Sequence, residues 1–449
     1  MRISVIGGTG YVGLVTGIGM AVCGNDVICA DINEQKIEGL NRDILPIYEK
    51  GLPELLKKAK EDKRIVFTSN VGKAVAESDI IFIAVGTPEN RYGDTDLSQL
   101  VKAVRSIAGH MTEYKIIVVK STVPVGTCEL AARLLNDNLR HPSVRFDVVS
   151  NPEFLREGNA VWDFMTPERI VIGSDSTGAA EKIRELYAGF DVPVIMTDTR
   201  SSEMIKYACN SYLASRISFI NEIAEICEKT GADIKPVVQA MKLDRRIGGE
   251  YLDPGPGFGG PCLSKDLNSL INFAERADAN VGMLKAAAFR NGLQIDNIMD
   301  HIFKEIERAS KGKVTVLGLS FKPGTDDLRN SPAVHLLDKL AGAGITAVAY
   351  DPVVKKLDSR FDHCVVLAGS IEEAACNSDC LVLMTDWQEF RELNLEKIRD
   401  IMRTPSIVDA RNMISADTAC CYGFRYKGVG TRNNVLLEQV SHAGLRDIV

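Results

Sequence analysis

The residues around Cys262 are the part of this 449-residue chain that most directly suggests covalent chemistry. The run 254–261 before this cysteine consists of glycines and prolines apart from Phe258, which predicts a backbone shaped to approach something closely. A helix is expected to begin just after Cys262. Its N-terminus, together with Lys265, would stabilise the thiolate and lower the pKa of the thiol. Because a thiolate is a good nucleophile toward a carbonyl carbon, the segment predicts chemistry on an aldehyde.

Two other interpretations of Cys262 stay open at this point: a thiol in a structural loop, and a metal ligand. No Cys or His lies at ligand spacing from it, and the six histidines form no cluster, so no metal site is predicted. Any general base is therefore expected to be a carboxylate or water. The other ten cysteines lie in apolar or helical runs and are interpreted as buried hydrophobes.

A second chemical motif, Gly8-x-Gly10-x-x-Gly13, follows the apolar run Arg2–Ile6 and opens a helical stretch. In a dinucleotide-binding unit the first glycine makes a tight turn, the second lets pyrophosphate approach the backbone, and the third packs helix on strand. The amides at the helix start, including those of Tyr11 and Val12, would bind the anion.

Asp31 ends the next predicted strand, 18 residues after Gly13 in the printed sequence. Its carboxylate would accept hydrogen bonds from the adenosine ribose and repel a 2′-phosphate, which favours NAD over NADP. Gly7, Gly10 and Gly13 also fit G-x-x-G-x-x-G, the pattern of short-chain epimerases and reductases. Those enzymes need Tyr-x-x-x-Lys, and the tyrosines of this chain do not provide it: Tyr187 and Tyr207 have no Lys four positions on, and Lys427 comes one position late after Tyr422.

The elements that must position these residues alternate between strands and helices in the first part of the chain. Further strands are predicted at 65–67, 80–85, 116–120, 144–150 and 170–172. This alternation predicts a mostly parallel sheet with helices on both faces. From Ser201 to about Thr230 apolar residues recur at helical spacing, which predicts one long helix, with more helix at 234–243, 265–278 and 281–309.

The strand pattern returns at Lys313 and resembles the beginning of the chain. Residues 2–7 compare with 313–318, 27–31 with 347–351, and 74–83 with 374–383. The predicted fold is α/β: two Rossmann-like doubly wound parallel-sheet domains joined by a long central helix and a helical dimerisation domain. The predicted domains are 1–198 (NAD-binding), 199–310 (central helical, with the cysteine loop) and 311–449 (a second Rossmann-like, nucleotide-type domain), with linkers near 197–201 and 310–313.

Composition narrows the function further. The formal net charge of −7 argues against a general nucleic-acid binder, and no segment approaches the roughly 18 apolar residues of a membrane span. The N-terminus does not have the pattern of a secretory signal, and unpaired cysteine spacing is typical of reduced thiols, so a cytoplasmic location is predicted. An NAD-binding unit with an activated cysteine predicts oxidation at the aldehyde level. A second nucleotide-type domain suggests a substrate that itself carries a nucleotide.

Seven ordered motifs, within a match that runs from Met1 to about residue 435, resemble the UDP-glucose/GDP-mannose dehydrogenase family of nucleotide-sugar dehydrogenases. They are 8–13, 46–49, 85–88, 121–127, 151–158, 259–266 and 321–329. The resemblance implies oxidation of the C6 alcohol of a nucleotide sugar, UDP-glucose first and GDP-mannose as the alternative, to a carboxylate with two NAD per turnover. It also implies a homodimer formed through the central helices.

The resemblance implies catalytic roles for six residues. Cys262 would form a thiohemiacetal and then a thioester, and Lys206 would stabilise the C6 oxyanion. Asn210 lies one helical turn from Lys206, on the same face. Asp266 and Thr122 would hold the catalytic water, and Glu153 is a candidate general base. The sequence by itself would place Lys206 on a solvated helix face.

Binding roles follow from the same motifs. Those implied for NAD are Gly8, Gly10, Tyr11, Val12, Gly13, Asp31, Lys36, Thr87, Thr122, Glu157, Lys265 and Arg329. Those implied for the nucleotide sugar are Glu153, Phe154, Leu155, Arg156, Glu157, Lys206, Asn210, Arg246, Tyr251, Leu252, Asp253, Pro254, Gly255, Gly259, Lys322 and Arg411. Arg246 would reach the sugar bound by a neighbouring subunit.

The chain departs from the family in two places. It has one extra glycine in the first turn, and residues 261–266 read Pro-Cys-Leu-Ser-Lys-Asp where the family often has Ser-Cys-Phe-Pro-Lys-Asp. Relatives that act on N-acetylated UDP sugars tend to have Gly-Gly-His-Cys and to lack this lysine, so Pro261 and Lys265 favour the UDP-glucose or GDP-mannose type. Two rival classes remain: a β-hydroxyacid dehydrogenase, which needs no cysteine, and a non-catalytic sensor of NAD and nucleotide sugar.

Overall fold

The computed structural model describes residues 1–307 and 312–432. The chain divides into two compact units, the first made of residues 1–210 and 268–279, the second of residues 211–267 and those from 280 onward. The helix Thr199–Thr230, named α9 below, runs from the first unit into the second and is about 48 Å long at 1.5 Å per residue.

The first unit is built on an eight-stranded sheet. Its elements are β1 (Arg2–Ile6), α1 (Tyr11–Val22), β2 (Asp26–Ala30), α2 (Glu34–Asn41), α3 (Leu52–Glu61), β3 (Ile65–Thr68), α4 (Val71–Ala76), β4 (Ile80–Ile83), α5 (Ser98–His110), β5 (Lys115–Val119), α6 (Thr127–Asn138), β6 (Phe146–Ser150), α7 (Ala160–Met165), β7 (Ile170–Gly173), α8 (Thr177–Leu186), β8 (Val194–Thr197) and the first part of α9. The strand order is β3-β2-β1-β4-β5-β6-β7-β8, and only the β6–β7 pairing is antiparallel. The first six strands follow the 3-2-1-4-5-6 order of dinucleotide-binding folds, so the chain reverses direction across the sheet between β1 and β4.

Both faces of this sheet are buried, as a parallel sheet requires. Ile80 and Phe82 on β4 belong to one apolar cluster, which also contains Leu14 of α1. Ile81 and Ile83, which point the other way, belong to a second cluster with α5. The near-continuous apolar strands predicted from the sequence are thus explained by helices on both sides.

The second unit is built on a six-stranded, wholly parallel sheet in the order β11-β10-β9-β12-β13-β14. Its elements are the second part of α9, α10 (Ile234–Leu243), the start of α11 (Leu263–Arg276), α12 (Gly282–Ile306), β9 (Val314–Leu317), α13 (Pro332–Gly342), β10 (Ala347–Tyr350), a 3₁₀ turn (Ser359–Phe361), β11 (Val365–Leu367), α14 (Ile371–Ala375), β12 (Cys380–Leu383), α15 (Gln388–Arg391), α16 (Leu395–Ile401), β13 (Ser406–Asp409), α17 (Ala416–Cys421) and β14 (Arg425–Gly428). The strand order is again 3-2-1-4-5-6, and the prediction of two doubly wound sheets joined by a long helix is confirmed.

In both sheets a glycine with positive φ follows the first strand and donates a backbone hydrogen bond to the end of the second strand. Gly7 after β1 has φ +82° and Gly318 after β9 has φ +89°. The Gly7 amide donates to Ala30 O at 2.9 Å, and the Gly318 amide donates to Tyr350 O at 2.8 Å. The correspondence seen between the two halves of the sequence is therefore also one of backbone conformation.

The acid that follows the second strand differs between the repeats. Asp31 is half-buried, whereas Asp351 is 2% exposed. One oxygen of Asp351 accepts from the amides of Leu319 and Ser320, and the other accepts from the amides of Val353 and Val354. Asp351 therefore ties the turn after β9 to the end of β10.

One local prediction was wrong, and one strand was not predicted. No linker lies at 197–201: β8 ends at Thr197, and Asp198 accepts from the amide and hydroxyl of Ser201, so α9 starts at once. The strand β8 was missed because it has four residues and half-exposed side chains, and so lacks clear alternation. The predicted helix 281–309 is α12 as far as Ile306. Residues 308–309, and residues 310–311 of the second predicted linker, lie outside the described residues. In the described part of the chain, no helix has the length and apolarity to span a bilayer.

Candidate active site

The glycine turn after β1 brings strand, turn and helix into van der Waals contact. A Cβ at Gly13 would lie 2.2 Å from Gly7 O, and a Cβ at Gly8 would lie 2.7 Å from the Cβ of Cys29. The left-handed residue is Gly7, so the tight turn predicted at Gly8 falls one residue earlier. The close-packing role predicted for Gly13 agrees with this geometry. The extra glycine of the sequence is thus accommodated: Gly7 makes the turn, while Gly8 fits against β2.

The start of α1 fits a bound pyrophosphate. Gly10 occupies the N-cap position without a side chain that could cap the helix, and the first turn holds no acidic residue. The amides of Tyr11 and Val12 therefore stand at a helix N-terminus, where the first N–H groups have no partner within the helix. A Cβ at Gly10 would meet nothing closer than Gly7 O at 3.4 Å, so the space before the helix is open.

Asp31 is tied to the same turn. Its Oδ2 accepts from the amide and hydroxyl of Thr9 at 3.2 and 2.7 Å, and its Oδ1 accepts from the amide of Asn33 at 3.0 Å. Lys36 lies in the first turn of α2, where its amide is capped by Asn33. These bonds fix the carboxylate beside the glycine turn, in the position predicted for ribose recognition.

The loops after β4 and β5 meet at the same edge of the sheet, since both strands run parallel to β1. The Thr87 hydroxyl donates to Thr122 O at 2.9 Å, which joins two predicted NAD contacts directly. Glu203 on α9 supports the second loop by accepting from the amides of Gly126 and Cys128 at 2.6 and 2.7 Å. Burial raises the pKa of this Glu203 carboxyl. Nothing in the sequence points to Glu203 beyond its place on α9.

A buried ion pair joins Glu153 and Lys206. Lys206 Nζ lies 3.1 Å from Glu153 Oε1, with the two side chains 6% and 7% exposed. The same ammonium lies 5.3 Å from the centroid of the Phe154 ring, and Glu153 Oε2 accepts from the Leu155 amide. Asn210, one turn along α9, is also buried. The solvated helix face suggested by the sequence for Lys206 is therefore wrong, because the segment 153–155 covers it.

The rest of the 151–158 segment is anchored by Glu49, a residue to which the sequence analysis assigns no role. Glu49 is 3% exposed and accepts from the amides of Gly158 and Ala160 at 2.8 and 2.9 Å. The Tyr11 hydroxyl accepts from the same Gly158 amide at 2.8 Å. Glu49 belongs to the motif 46–49, so its place in a shared motif was the available signal.

Arg156 and Glu157, in the same segment, differ in surroundings. The Arg156 guanidinium is half-exposed and forms a bidentate pair with Asp163 on α7, at 3.0 and 2.7 Å. The Oε2 of Glu157 is buried. The predicted binding roles of Arg156 and Glu157 stay predictions.

Lys120 is another buried lysine of the first unit, and the sequence analysis assigns it no role. Its Nζ donates to Asn151 Oδ1 at 3.1 Å, and the Tyr187 hydroxyl donates to the same oxygen at 2.6 Å. Asn151 in turn donates to Val171 O at 2.7 Å. Burial lowers the pKa of the Lys120 ammonium to about 8, opposed by the negative charge of Glu153. This network fixes the residue two positions before Glu153.

Cys262 is exposed and immediately precedes α11, as predicted. The Asp266 amide donates to Cys262 O at 2.9 Å, which closes the first helical turn. The Lys265 ammonium lies 2.6 Å from Asp266 Oδ1, and the Asp266 side chain is 1% exposed. The charge of Lys265, expected to act on the thiol, is therefore shared with the Asp266 carboxylate.

The segment before Cys262 packs against loops at the carboxyl edge of the second sheet. A Cβ at Gly259 would lie 2.3 Å from Asn330 O, and one at Gly260 would lie 2.6 Å from the Phe321 ring. A Cβ at Gly255 would lie 3.5 Å from Arg411 Nη1. Arg411 donates to Met384 O at 2.9 Å, and burial lowers the pKa of its guanidinium. The second sheet thus brings the cysteine segment together with Arg411 and the loop that carries Lys322.

The remaining predicted substrate residues of this unit surround the segment. Tyr251 has φ +59°, Leu252 is 2% exposed and Pro254 is buried. The Asp253 carboxylate accepts from the Lys242 ammonium at 2.7 Å, and this side chain faces solvent.

Three predicted binding cations lie close to acidic or aromatic side chains. The Arg246 guanidinium is 90% exposed and pairs with Asp244 at 2.6 Å. Arg329 pairs with Asp327, and the Lys322 ammonium lies 5.4 Å from the Phe321 ring centroid. Within residues 1–307 and 312–432, no group of three His, Cys, Asp or Glu side chains is placed to hold a metal ion.

Three domain models of the UDP-glucose/GDP-mannose dehydrogenase family match the chain. The NAD-binding domain matches residues 1–191, the central domain residues 200–292, and the UDP-binding domain residues 315–416. Together they cover most of the sequence, including every motif on which the resemblance was based.

Individual relatives match over nearly their whole length. The chain is 42% identical to the UDP-glucose 6-dehydrogenase YwqF of Bacillus subtilis over 433 residues, which cover 96% of this chain and 98% of the relative. It is also 42% identical to the UDP-glucose 6-dehydrogenase of Rhizobium meliloti over 442 residues, covering 96% and 99%.

Solved structures give the same result. A UDP-glucose dehydrogenase from Pyrobaculum islandicum superposes with a TM-score of 0.89 at 34% identity, covering 96% of this chain and 97% of that one. The UDP-D-ManNAc dehydrogenase of Pyrococcus horikoshii superposes with a TM-score of 0.85 at 30% identity, covering 96% and 99%.

Proposed function

The chain belongs to the UDP-glucose/GDP-mannose dehydrogenase family of NAD-dependent oxidoreductases, and we propose that it oxidises the C6 alcohol of UDP-glucose to the carboxylate of UDP-glucuronate. The observation that carries the proposal is the exposed thiol of Cys262, at the end of a buried glycine-rich segment packed beside Arg411 and Phe321. The names of the relatives at 42% identity support UDP-glucose as the sugar nucleotide.

The residues around the first glycine turn fit NAD. The uncapped N-terminus of α1 offers the amides of Tyr11 and Val12 to the pyrophosphate, and Gly10 leaves room for it. Asp31, fixed by Thr9, would accept from the adenosine ribose, while Thr87 and Thr122 line the neighbouring loops. Bound NAD supplies the hydride acceptor for the oxidation at C6.

Cys262 would carry the carbon between the alcohol and acid levels. Its thiolate adds to the C6 aldehyde carbon, forming a C–S bond and a thiohemiacetal whose oxygen takes up the negative charge before protonation. Loss of a hydride and the hydroxyl proton from this adduct leaves a thioester on Cys262. Water then adds to the thioester, and the C–S bond breaks to release the carboxylate and regenerate the thiol. The covalent link explains why no free aldehyde need leave the protein.

The buried charges are suited to support these steps. The Lys206 ammonium, 6% exposed, would stabilise the developing C6 oxyanion in a site of low dielectric, and Asn210 would donate from the next turn. Glu153 would accept the alcohol proton, since it is the carboxylate paired with that ammonium. Thr122 and Asp266 would hold the hydrolytic water.

The uridine diphosphate would be held at the second sheet. Lys322 and Arg411 supply positive charge at the carboxyl edge of β9 and β13, where an open parallel sheet binds its ligand. Gly255 and Gly259 would let the substrate approach the backbone. The three-domain division at residues 198/199 and 310/311 remains our proposal, supported by where the three family models begin and end.

We also propose a homodimer formed through the central helices. In the second unit, Tyr212, Phe219 and Ile226 recur every seven residues on α9 and are 62%, 51% and 49% exposed. Phe289 on α12 is 69% exposed. A helix face of this kind is typical of a protein–protein interface. Arg246, 90% exposed, would then be available to the substrate of the second copy.

The eleven cysteines are thiols, which supports the predicted cytoplasmic location. The substrate is tested by measuring NADH yield with UDP-glucose, GDP-mannose and UDP-N-acetylmannosamine. We expect two NADH per UDP-glucose and no accumulating aldehyde. Cys262→Ser should abolish release of acid, whereas the control Cys376→Ser, which changes another exposed cysteine, should not. Absence of NADH with UDP-glucose, or one NADH per UDP-glucose with accumulating free aldehyde, would contradict the proposal.

A further inference from the structure

The segment 255–260, which leads to Cys262, is buried although no helix or strand includes it. Burial removes water from its backbone N–H and C=O groups, so each needs another partner. In a regular element the neighbouring backbone would supply these bonds. Here side chains of α9 and α12 supply four of them.

Asn291 on α12 satisfies both backbone groups of Phe258. Its Oδ1 accepts from the Phe258 amide at 2.8 Å, and its Nδ2 donates to Phe258 O at 3.1 Å. The adjacent Gly257 has φ +96°, and a Cβ there would lie 2.6 Å from Asn291 Oδ1. Glycine at 257 therefore lets the amide close on the backbone.

Gly255 is held in a corresponding way by two helices. Its amide donates to Asn221 Oδ1 at 2.8 Å, and its carbonyl accepts from Gln294 Nε2 at 2.7 Å. Asn221 and Gln294 are 1% and 2% exposed. Asn291 and Gln294 lie three residues apart on α12 and so share a face. Arg290 beside them donates to Asn221 O at 2.7 Å, which ties the two helices together.

These contacts limit where Cys262 can lie. Only three residues separate Phe258 from Cys262, and α11 begins at the next residue. On the other side, Gly260 has φ +80° and fits against the Phe321 ring. The cysteine therefore stands on a short connection that is held at its start by amide side chains and at its end by a helix.

We propose that Asn291, Gln294 and Asn221 are positioning residues that set the place of the Cys262 thiol through the backbone of 255–258. The inference rests on the proposed function, since it matters for turnover only if Cys262 is the nucleophile. The apolar packing of α9 and α12 uses other residues, among them Ile220, Ile295 and Ile298. Loss of the amides should therefore displace the thiol more than it disturbs the fold.

The test compares Asn291→Ala with Asn297→Ala, a matched control on the same helix. The Asn297 amide donates to Glu225 Oε2 at 3.2 Å, and Asn297 lies six residues after Asn291 on α12. The measurements are kcat and KM for UDP-glucose and NAD, the thermal midpoint, and the rate of iodoacetamide alkylation at Cys262 followed by peptide mass spectrometry. The alkylation measurement needs no substrate, so it tests how the three amide side chains position Cys262 even if the proposed activity is wrong.

We expect Asn291→Ala to lower kcat at least tenfold, with the KM for NAD changed less than twofold and the Cys262 alkylation rate changed at least threefold. Asn297→Ala should leave all of these within twofold of the wild type. Gln294→Met, nearly isosteric, should resemble Asn291→Ala and serves if that variant does not fold. If the unmodified chain turns over, any other combination of kcat and alkylation overturns the inference. An unchanged alkylation rate at Cys262 overturns it with or without turnover, and so does failure of both variants to fold, which would show a purely structural role. Absence of NADH with the unmodified chain would count against the proposed function alone.

Discussion

Replacing Lys206 by methionine tests the buried charge pair that Lys206 forms with Glu153 in the candidate site. The variant keeps the length of the side chain and removes its charge. Glu153 would be left as a carboxylate 7% exposed, without the cation 3.1 Å away. The expected consequences are a loss of stability and, separately, a loss of turnover.

The stability loss can be worked from the geometry. Two unit charges 3.1 Å apart attract by about 5 kcal/mol at an effective dielectric constant near 20. Breaking a buried pair from one side costs about 3–5 kcal/mol in other proteins, because an uncompensated charge remains. We therefore expect Lys206→Met to lower the free energy of unfolding by about 3–5 kcal/mol. Loss of oxyanion stabilisation should lower kcat by about 10²–10³-fold.

The assay is urea unfolding followed by circular dichroism, together with kcat for UDP-glucose. The control is Lys182→Met, which breaks the exposed pair with Glu185 on α8, 2.8 Å apart and about half-exposed on both sides. That change should cost no more than about 0.5 kcal/mol. The double variant Lys206→Met with Glu153→Gln should regain most of the stability without regaining activity.

Two results would refute this reasoning. A stability loss for Lys206→Met no greater than that of the control would mean that the pair is not buried as described. Recovery of kcat in the double variant would mean that Lys206 serves to neutralise Glu153 and does not stabilise the oxyanion.

Three further predictions concern the glycine turn, the buried Lys120 and the dimer interface. Gly13→Ala should weaken NAD binding at least tenfold in calorimetric titration, because the added Cβ would overlap Gly7 O. The control is Gly178→Ala in the first turn of α8, where an added Cβ meets no neighbouring atom and NAD affinity should stay unchanged. Since burial lowers the pKa of Lys120 to about 8, the unfolded chain binds more protons above that pH, and the folded state gains stability as pH rises from about 8 toward 10.5. The free energy of unfolding of the wild type minus that of Lys120→Met should therefore rise in urea titrations by up to about 1.4 kcal/mol per pH unit there. Phe219→Glu should give monomers in sedimentation velocity, and Trp162→Glu, at an exposed aromatic residue of the first unit, should not.

Each of these has a contrary outcome. Equal NAD affinities for the two alanine variants would exclude close packing at Gly13. A stability difference for Lys120 that stays flat or falls between pH 8 and 10.5 would contradict the lowered pKa of this buried ammonium. A dimer that survives Phe219→Glu would move the interface away from the seven-residue stripe of α9.

The sheets were predictable from the sequence because parallel strands are apolar on both faces and are separated by glycine turns and helices. The glycine spacing, however, fitted two registers, and only the positive φ of Gly7 settles which residue turns the chain. Lys206 was interpreted as solvated because lysine is usually exposed. Its burial depends on Glu153, 53 positions earlier.

The hydrogen bonds to irregular backbone were equally hidden. An asparagine or glutamine on a helix carries no sign of its partner, so neither the role of Asn291 nor that of Gln294 could be read from spacing. By contrast, the sequence predicts a reactive thiol at Cys262, since the glycines and prolines that shape its backbone are adjacent to it in the chain. Site residues that are marked by their sequence neighbours can be predicted, whereas hydrogen bonds and ion pairs made by residues far along the chain cannot.

The two acids at the ends of β2 and β10 make the repeated domains chemically unequal. The Asp351 carboxylate already accepts four backbone amides, together with the Ser320 hydroxyl and the Trp387 indole, which exceeds the roughly four lone-pair positions of a carboxylate. No acceptor position of the Asp351 carboxylate is left for a ribose hydroxyl. In the second sheet the acid at this position therefore holds two backbone segments together, whereas Asp31 in the first is placed to bind a ribose. A large excess of NAD should consequently fail to compete with the nucleotide sugar at the second sheet, even though the strand order of the two sheets is the same.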